Sequence, residues 1–227
     1  MISIAIDGPA GAGKSTIAKR LSAEFGFIYV DTGALYRAVG LYALRHGLTQ
    51  LNAQTVPPLL PQITVKLKFV DGLQRVFLND QDVSEAIRQN KVSMAASDVS
   101  AIPAVREFLF ELQRNIAKEN NIVMDGRDIG TVVLPNADVK IFLTASPEVR
   151  ARRRHLELLE KGQSVDFQQL LEEIKTRDHN DSTRAVAPLK QAEDAVLVDS
   201  SDLTLEEAVS AAADTVRRVL HQKGKRL

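Results

Sequence analysis

Cysteine is absent from the 227 residues, which excludes disulfides, thiolate chemistry and cysteine-ligated metals. No apolar run approaches the roughly 18 residues that a membrane-crossing helix needs. Net charge is missing as well: 29 Lys and Arg balance 29 Asp and Glu. No overall field therefore draws the chain to nucleic acid or to a membrane, and an anionic ligand has to be held by individually placed residues. Internal repeats and low-complexity tracts are not found. The opening Met1-Ile2-Ser3-Ile4-Ala5-Ile6 lacks the basic start of a signal peptide. The expectation is a cytoplasmic monomer with small-molecule substrates and neither a nucleic-acid nor a membrane partner. What remains is 44% hydrophobic and 26% charged, enough for one buried core with a small inserted lobe.

Short apolar runs at Ile2 to Ile6, Phe27 to Val30, Ile122 to Met124, Val139 to Leu143 and Ala195 to Val198 read as buried strands separated by helical patterns. Strands alternating with helices predict an α/β fold with a parallel sheet. In such sheets ligands bind beyond the carboxyl ends of the strands. Here those ends carry Asp7-Gly8, Asp31-Thr32, Asp125-Gly126 and Asp199-Ser200. Between the second and third of these strands the pattern changes. Ile63 to Phe69 alternates with period two, Asp71-Gly72 supplies a hairpin turn, and Arg75-Val76-Phe77-Leu78 runs back. Pro57-Pro58 and Pro61 mark the entry to this antiparallel lobe as a non-helical linker, and Val99 to Ile116 reads as one helix with apolar residues at Val99, Ile102, Val105, Leu109, Leu112 and Ile116.

The chemistry starts at Gly8-Pro9-Ala10-Gly11-Ala12-Gly13-Lys14-Ser15, a G-x-x-x-x-G-K-[ST] match that arises by chance in roughly one chain in a hundred of this length. It follows a strand and opens a helix expected over Thr16 to Phe25, where backbone N–H groups and the helix dipole surround phosphate. The glycines let the backbone come close, Lys14 is expected to reach the β and γ phosphates of ATP, and Ser15 to place its hydroxyl on Mg²⁺. The alternative is a glycine turn that binds nothing. A GTPase would add an N-K-x-D guanine reader, and Asn90-Lys91-Val92-Ser93 lacks the aspartate.

A kinase for an anionic acceptor needs additional guanidiniums, because two phosphate groups must approach one another. Four places supply them. In Asp31-Thr32-Gly33-Ala34-Leu35-Tyr36-Arg37 a strand ends, turns on Gly33 and starts a helix that aims Arg37 at the crevice. Asp125-Gly126-Arg127-Asp128-Ile129-Gly130 ends the third strand, with Asp125 in the position of a Walker-B aspartate; a surface ion pair is the alternative for either segment. Arg177, Asp181 and Arg184 share one helix face by spacing, with Pro188 ending the helix, and are either a substrate-facing or a solvated stripe. Arg150, Arg152, Arg153 and Arg154 lie on a helix from Glu148 to Lys161 that breaks at Gly162. With a second helix from Phe167 it forms a hairpin placed to act as a lid, and at most one or two of these arginines would meet ATP. Arg106, on the edge of its helix's apolar stripe, needs a partner, either a carboxylate or a bound nucleotide.

The motifs Ile6 to Thr16, Asp31 to Arg37, Asp125 to Val133 and Arg184-Ala185-Val186-Ala187-Pro188-Leu189 together resemble those of the bacterial cytidylate kinases, P-loop nucleoside monophosphate kinases, nearly end to end. The resemblance implies five parallel strands with flanking helices, an inserted acceptor lobe and a helical lid. It divides the chain into a core at 1–40, 120–150 and 186–227, an acceptor lobe at 41–119 and a lid at 151–185. It further implies that Gly8, Pro9, Ala10, Gly11, Ala12, Gly13, Lys14, Ser15 and Thr16 bind ATP. Ser97, Arg106 and Asp128 contact cytosine, Arg37 and Arg127 hold the acceptor phosphate, Arg177 and Asp181 reach the ribose, and Thr32 keeps a hydroxyl where relatives often carry serine. Lys14, Arg127 and Arg184 are the residues expected to carry catalysis.

Base chemistry agrees with that resemblance. Cytosine offers an N4 donor with N3 and O2 acceptors, which an aspartate and an arginine complement. Uracil turns an acceptor toward the carboxylate, a mismatch worth several kcal/mol in a dry site. The expected reaction is MgATP-dependent phosphorylation of CMP, with dCMP a second substrate because readers at Arg177 and Asp181 need not demand the 2′-hydroxyl. A kinase for another acceptor and a nucleotide-gated binding module are the alternatives.

Overall fold

In a computed structural model of the chain, residues 1–70, 73–160 and 162–226 are described. The expected turn at Asp71-Gly72 and the helix position Lys161 lie outside the described residues. The chain divides into two compact units, one of residues 28–120 with Met1 and one of residues 2–27 with 121–227.

The second unit holds the parallel strands β1 (Ser3–Asp7), β6 (Ile122–Gly126), β7 (Val139–Thr144) and β8 (Val196–Asp199), in the order β6–β1–β7–β8. β1 lies between β6 and β7, with Asp7 opposite Gly126 on one side and Phe142 on the other. Ile4, Ala5 and Ile6 are fully buried, which is why this strand reads as an unbroken apolar run. Helix α1 (Lys14–Phe25) packs on β6 and against α7 (Leu205–Gln222), and α7 covers β7 and β8. α1 stops at Gly26 in the left-handed conformation, and α7 starts with a capping box between Thr204 and Glu207. Helices α5 (Pro147–Glu160) and α6 (Phe167–Thr183) form the expected hairpin around Ala151, Leu158, Leu170, Leu171 and Ile174.

The first unit contains β2 (Ile28–Asp31). It also contains α2 (Thr32–Arg45), a separate antiparallel sheet of β3 (Val65–Val70), β4 (Leu73–Leu78) and β5 (Gln81–Asp82), and helices α3 (Asn90–Ser100) and α4 (Pro103–Glu119). The short third strand was not foreseen. Its signal is Asn79-Asp80, both with positive φ (47° and 65°), the two-residue turn that matches strand twist. One core, including Leu35, Val39, Val76, Ile87, Val99, Val105 and Leu109, unites these elements.

Four local expectations are corrected. Val99 to Ile116 is two helices, because Pro103 has no N–H to continue α3 and forces Ile102 into an extended conformation (φ −86°, ψ 118°). The apolar stripe nevertheless stays on the core side, with Val99, Ile102, Val105 and Leu109 buried. Pro57–Gln62 is a 3₁₀ helix, prolines at its start costing nothing where no N–H is needed. Gly33 is not a turn: α2 begins at Thr32, and the Asp31 carboxylate caps it by accepting from the Ala34 N–H at 3.0 Å. Finally, α6 ends at Thr183, before Pro188. The Ser182 and Thr183 hydroxyls donate to the Asp178 and His179 carbonyls at 2.7 Å, and Arg184 leaves the helix with ψ 141°.

Helices α2 and α3 approach closely at Gly40, where an added Cβ would stand 3.0 Å from the Ala95 Cβ and 3.2 Å from backbone atoms of Ala95 and Ala96. Backbone cannot give way as a flexible side chain can. Gly40→Val is expected to lower the unfolding free energy by about 1–3 kcal/mol in urea titrations, whereas an unchanged midpoint would mean that the helices separate freely.

Candidate functional site

The second unit carries a loop shaped for phosphate. β1 delivers Asp7 and then turns at Gly8, whose φ is 150°; a Cβ there would fall 1.9 Å from the Leu143 carbonyl oxygen. Only glycine allows the strand end to lie that close to β7. Gly11 and Gly13 follow with φ of 77° and 91°. The first turn of α1 has no side-chain cap and no acidic residue, so its N–H groups and positive dipole end are available to an anion. Lys14 is buried and folds back over the loop, its Nζ donating to the Pro9 carbonyl at 2.7 Å. Burial, then the charge of Arg127, push its ammonium well below the ordinary lysine value; Asp125 and Asp7 oppose them. The Ser15 hydroxyl is exposed and donates to the buried Asp125 carboxylate at 2.8 Å. This pairing of hard oxygen donors beside a phosphate loop suits Mg²⁺, which keeps much of its water and takes few protein ligands.

Across the carboxyl ends of β1 and β6 the same unit gathers the expected Arg127, Asp128, Asp181 and Arg184. Arg127 donates through Nε to Asp181 at 2.8 Å and through its terminal nitrogen to the Gly126 carbonyl at 3.3 Å. Burial alone would raise the Asp181 carboxyl; Arg127, aided by Arg177 and Arg184, outweighs it and holds the group below the usual carboxylate value. Arg177 and Asp181 thus belong together, as their spacing implies. Arg184, though off the helix, returns to the cluster: Nε donates to the Ala187 carbonyl at 2.7 Å and a terminal nitrogen lies 3.4 Å from Asp128, both side chains being buried.

In the first unit, Thr32 is buried at the start of α2, and Arg37 lies 3.8 Å from the Asp31 carboxylate. Arg88 donates to that same carboxylate at 3.1 Å, and the Gln74 amide brackets the Asp31 backbone. Ser97 is half-buried on α3, and its carbonyl accepts from the Ser100 hydroxyl. Arg106 is buried on α4, donates to the Ser100 carbonyl at 3.2 Å and has its guanidinium 5.7 Å from the centre of the Tyr36 ring.

To three residues the sequence reading gave no individual role. Asp7 accepts from the Ile129 and Gly130 N–H groups at 2.8 and 2.7 Å. Burial raises its pKa; those two N–H donors lower it, Asp128 raises it again, and Lys14 lowers it, with a net value of about 6. Arg150, one of four clustered arginines, is buried against the phosphate loop. It donates to the Ala10 carbonyl at 3.0 Å and the Ala145 carbonyl at 2.8 Å, and forks onto the third residue, Asp178 of α6. Its spacing of eight from Leu158 is the sequence signal for an inner-face position. Arg153 instead meets Ser200, and Arg154 pairs with Glu157 on the surface.

A family model described as cytidylate kinase matches residues 4–218. Among curated proteins, the cytidylate kinase of Caldicellulosiruptor bescii is 53% identical over 219 residues, covering 96% of this chain and 97% of that one. The cytidylate kinase of Streptococcus sanguinis is 49% identical, covering 96% and 98%. Among solved structures, a gluconokinase from Sinorhizobium meliloti superposes with a TM-score of 0.52 at 15% identity, over 97% of this chain and 94% of that one, a likeness of fold.

Asp7 makes a signed stability prediction. Its folded pKa of about 6 exceeds the ordinary 3.8, so between these values the folded chain keeps a proton that the unfolded chain has released. Stability contributed by the neutral acid is present below pH 3.8 and is lost as pH rises through about 6. The whole span corresponds to at most about 3 kcal/mol. Asp7→Asn removes this dependence. Between about pH 4 and pH 7 the variant's unfolding free energy should gain on wild type by about 1–3 kcal/mol, as read by urea titration at each pH; parallel curves would show that Asp7 titrates normally.

Proposed function

The chain belongs to the cytidylate kinase family, and we propose that it transfers the γ-phosphoryl group of ATP to CMP in line, with dCMP as a second acceptor and Mg²⁺ at Ser15. It is a nucleoside monophosphate kinase, giving ADP and CDP. The observation that carries the reading is the family match over residues 4–218 on a chain whose glycine loop folds Lys14 over itself at 2.7 Å from the Pro9 carbonyl.

When bound, Mg²⁺ neutralises charge on the donor phosphates; Ser15, with Asp125 beside it, would hold it. Residues Gly8 to Thr16 bind the ATP phosphates. Lys14 exchanges its Pro9 contact for phosphate oxygens, whose negative charge restores the ammonium that burial and Arg127 weaken. Thr32, Arg37 and Arg127 grip the acceptor phosphate, and Arg177 and Asp181 serve the ribose. Ser97, Arg106 and Asp128 read cytosine, and Arg184 steadies Asp128 while adding positive charge near the transferring group. No general base is needed, since a phosphate monoester with a second pKa of about 6 is mostly dianionic near neutrality. Catalysis reduces to positioning and charge stabilisation. Residues 151–185 are the segment we assign as a lid that excludes water. No described helix is long and apolar enough to cross a membrane. We assign the protein to the cytoplasm as a monomer without a nucleic-acid partner, the balanced net charge supplying no long-range attraction for a polyanion.

A coupled ATP assay against CMP, dCMP, UMP, AMP and GMP tests the reading; strong ADP release with CMP and dCMP is expected, and equal rates with all five would sink it. Lys14→Ala should cut kcat at least about 100-fold with the fold retained, as read by far-UV circular dichroism. Full turnover in that variant would remove the phosphate role. Asp128→Asn should reduce the kcat/KM preference for CMP over UMP by about tenfold or more, and an unaltered ratio would exclude Asp128 as the base reader.

A further inference from the structure

Asp7 stands apart from every role assigned above, yet it is one of the most deeply enclosed ionisable groups in the second unit. Burying a carboxylate without need is unfavourable, and what this one does is specific. The loop after β6 passes from Asp128 into a single π-helical turn, Ile129–Val133. Within that turn the Asp128 carbonyl accepts from the Val132 and Val133 N–H groups at 2.9 and 3.1 Å, and the Leu134 N–H donates to the Ile129 carbonyl. The leading N–H groups of such a turn have no partner inside it. Asp7 supplies one, with one oxygen on the Ile129 N–H at 2.8 Å and the other on the Gly130 N–H at 2.7 Å.

The peptide joining Asp128 to Ile129 is therefore held at both ends, its carbonyl by the turn and its N–H by Asp7. That peptide sets where the Asp128 side chain starts. The side chain itself meets Arg184 at 3.4 Å. Gly130 is part of the same fit: a Cβ on it would stand 3.0 Å from the Lys140 Cδ and 3.3 Å from the Asp7 Oδ2. Asp7 is also the residue immediately before Gly8, so the strand end that launches the phosphate loop fixes the base-reading loop as well.

We propose that Asp7 is a positioning residue for nucleobase selection, its two carboxylate oxygens clamping the peptide after Asp128 and so aiming the Asp128 carboxylate at the base. The proposal rests on the reading of Asp128 as the cytosine reader. Asparagine has one acceptor oxygen where two N–H groups must be met, and turns an amide N–H toward the other donor. A purely structural or phosphate-loop role would weaken CMP and UMP reactions alike; aiming Asp128 alters their ratio.

The test is kcat/KM for CMP and for UMP in wild type, Asp7→Asn, Asp128→Asn, the double variant and Gly130→Ala, each checked for folding by far-UV circular dichroism. Asp7→Asn is expected to lower the CMP-over-UMP ratio about tenfold, mainly through KM for CMP, with KM for ATP changed less than about twofold. The double variant is expected to match Asp128→Asn alone, since both act through one carboxylate. Gly130→Ala, whose Cβ would stand 3.3 Å from the Asp7 Oδ2 and crowd that oxygen without removing it, should lower the ratio about threefold, and it decides the question if Asp7→Asn does not fold. An unchanged ratio in Asp7→Asn, or in Gly130→Ala where that variant must decide, beside a lowered one in Asp128→Asn overturns the positioning role and leaves the base-reading assignment standing. An unchanged ratio in Asp128→Asn overturns both, and additive losses in the double variant overturn the route through Asp128.

Discussion

A lysine ammonium buried at the end of a central strand is the constraint on which the rest of the second unit depends. Lys14 can stay there only if acceptors surround it, and β1 and β6 bring Asp7 and Asp125 into its field while Arg127 and Arg177 push the other way. Three guanidiniums of the cluster are held by oxygen: Arg127 by Asp181, Arg184 by Asp128 and Ala187, Arg150 by Asp178 and the loop's own Ala10. Two unit charges 4 Å apart interact by about 4 kcal/mol at an effective dielectric constant of 20, so unpaired cations in this number would force the loop open. Paired, they are fixed in direction before any phosphate arrives, and the reorganisation that a flexible cluster would need is avoided.

The parallel sheet was legible because β1, β6 and β7 are buried on both faces and read as unbroken apolar runs. The glycine loop was legible because its spacing answers one physical demand, backbone close to phosphate. Helix limits were less so. Val99 to Ile116 keeps one apolar stripe across two helices, since the stripe reports which side faces the core, while Pro103 decides where hydrogen bonding breaks. The end of α6 lies in a backbone turn that periodicity does not register: Arg184 leaves the helix with ψ 141°, and the Leu189 N–H returns to the Asp181 carbonyl at 2.7 Å. Asn79-Asp80 did carry a turn signal, overshadowed by the more conventional Asp71-Gly72.

The grouping of charged side chains was legible where motifs carry it, and obscure where it depends on contacts between distant segments. Arg127, Asp128, Asp181 and Arg184 form the cluster that their motifs suggest. Asp7 looked like the polar end of a strand, because nothing in its neighbourhood along the chain reveals the two N–H groups 122 and 123 residues away. Arg150 was hidden among three other arginines for the same reason. Its distinguishing partner, Asp178, is 28 residues on, and only the packing of α5 on α6 selects it.

The chain's formal net charge of zero bears on how such a site finds anions. With no long-range field, attraction for phosphate is confined to within roughly a Debye length, about 8 Å at physiological salt. Discrimination then falls to short-range geometry, where a carboxylate displaced by an ångström loses its partner while an arginine's fork retains part of its grip on phosphate. Base selection is therefore the function most sensitive to backbone aim, and phosphate capture the most tolerant. A fold under that pressure gains from anchoring the loop after β6, which we assign to the base, and its phosphate loop to the same rigid strand end, and Asp7-Gly8 supplies that common anchor. Its carboxylate holds the peptide after Asp128, and the next residue, lacking a Cβ, lets the phosphate loop leave β1 against Leu143.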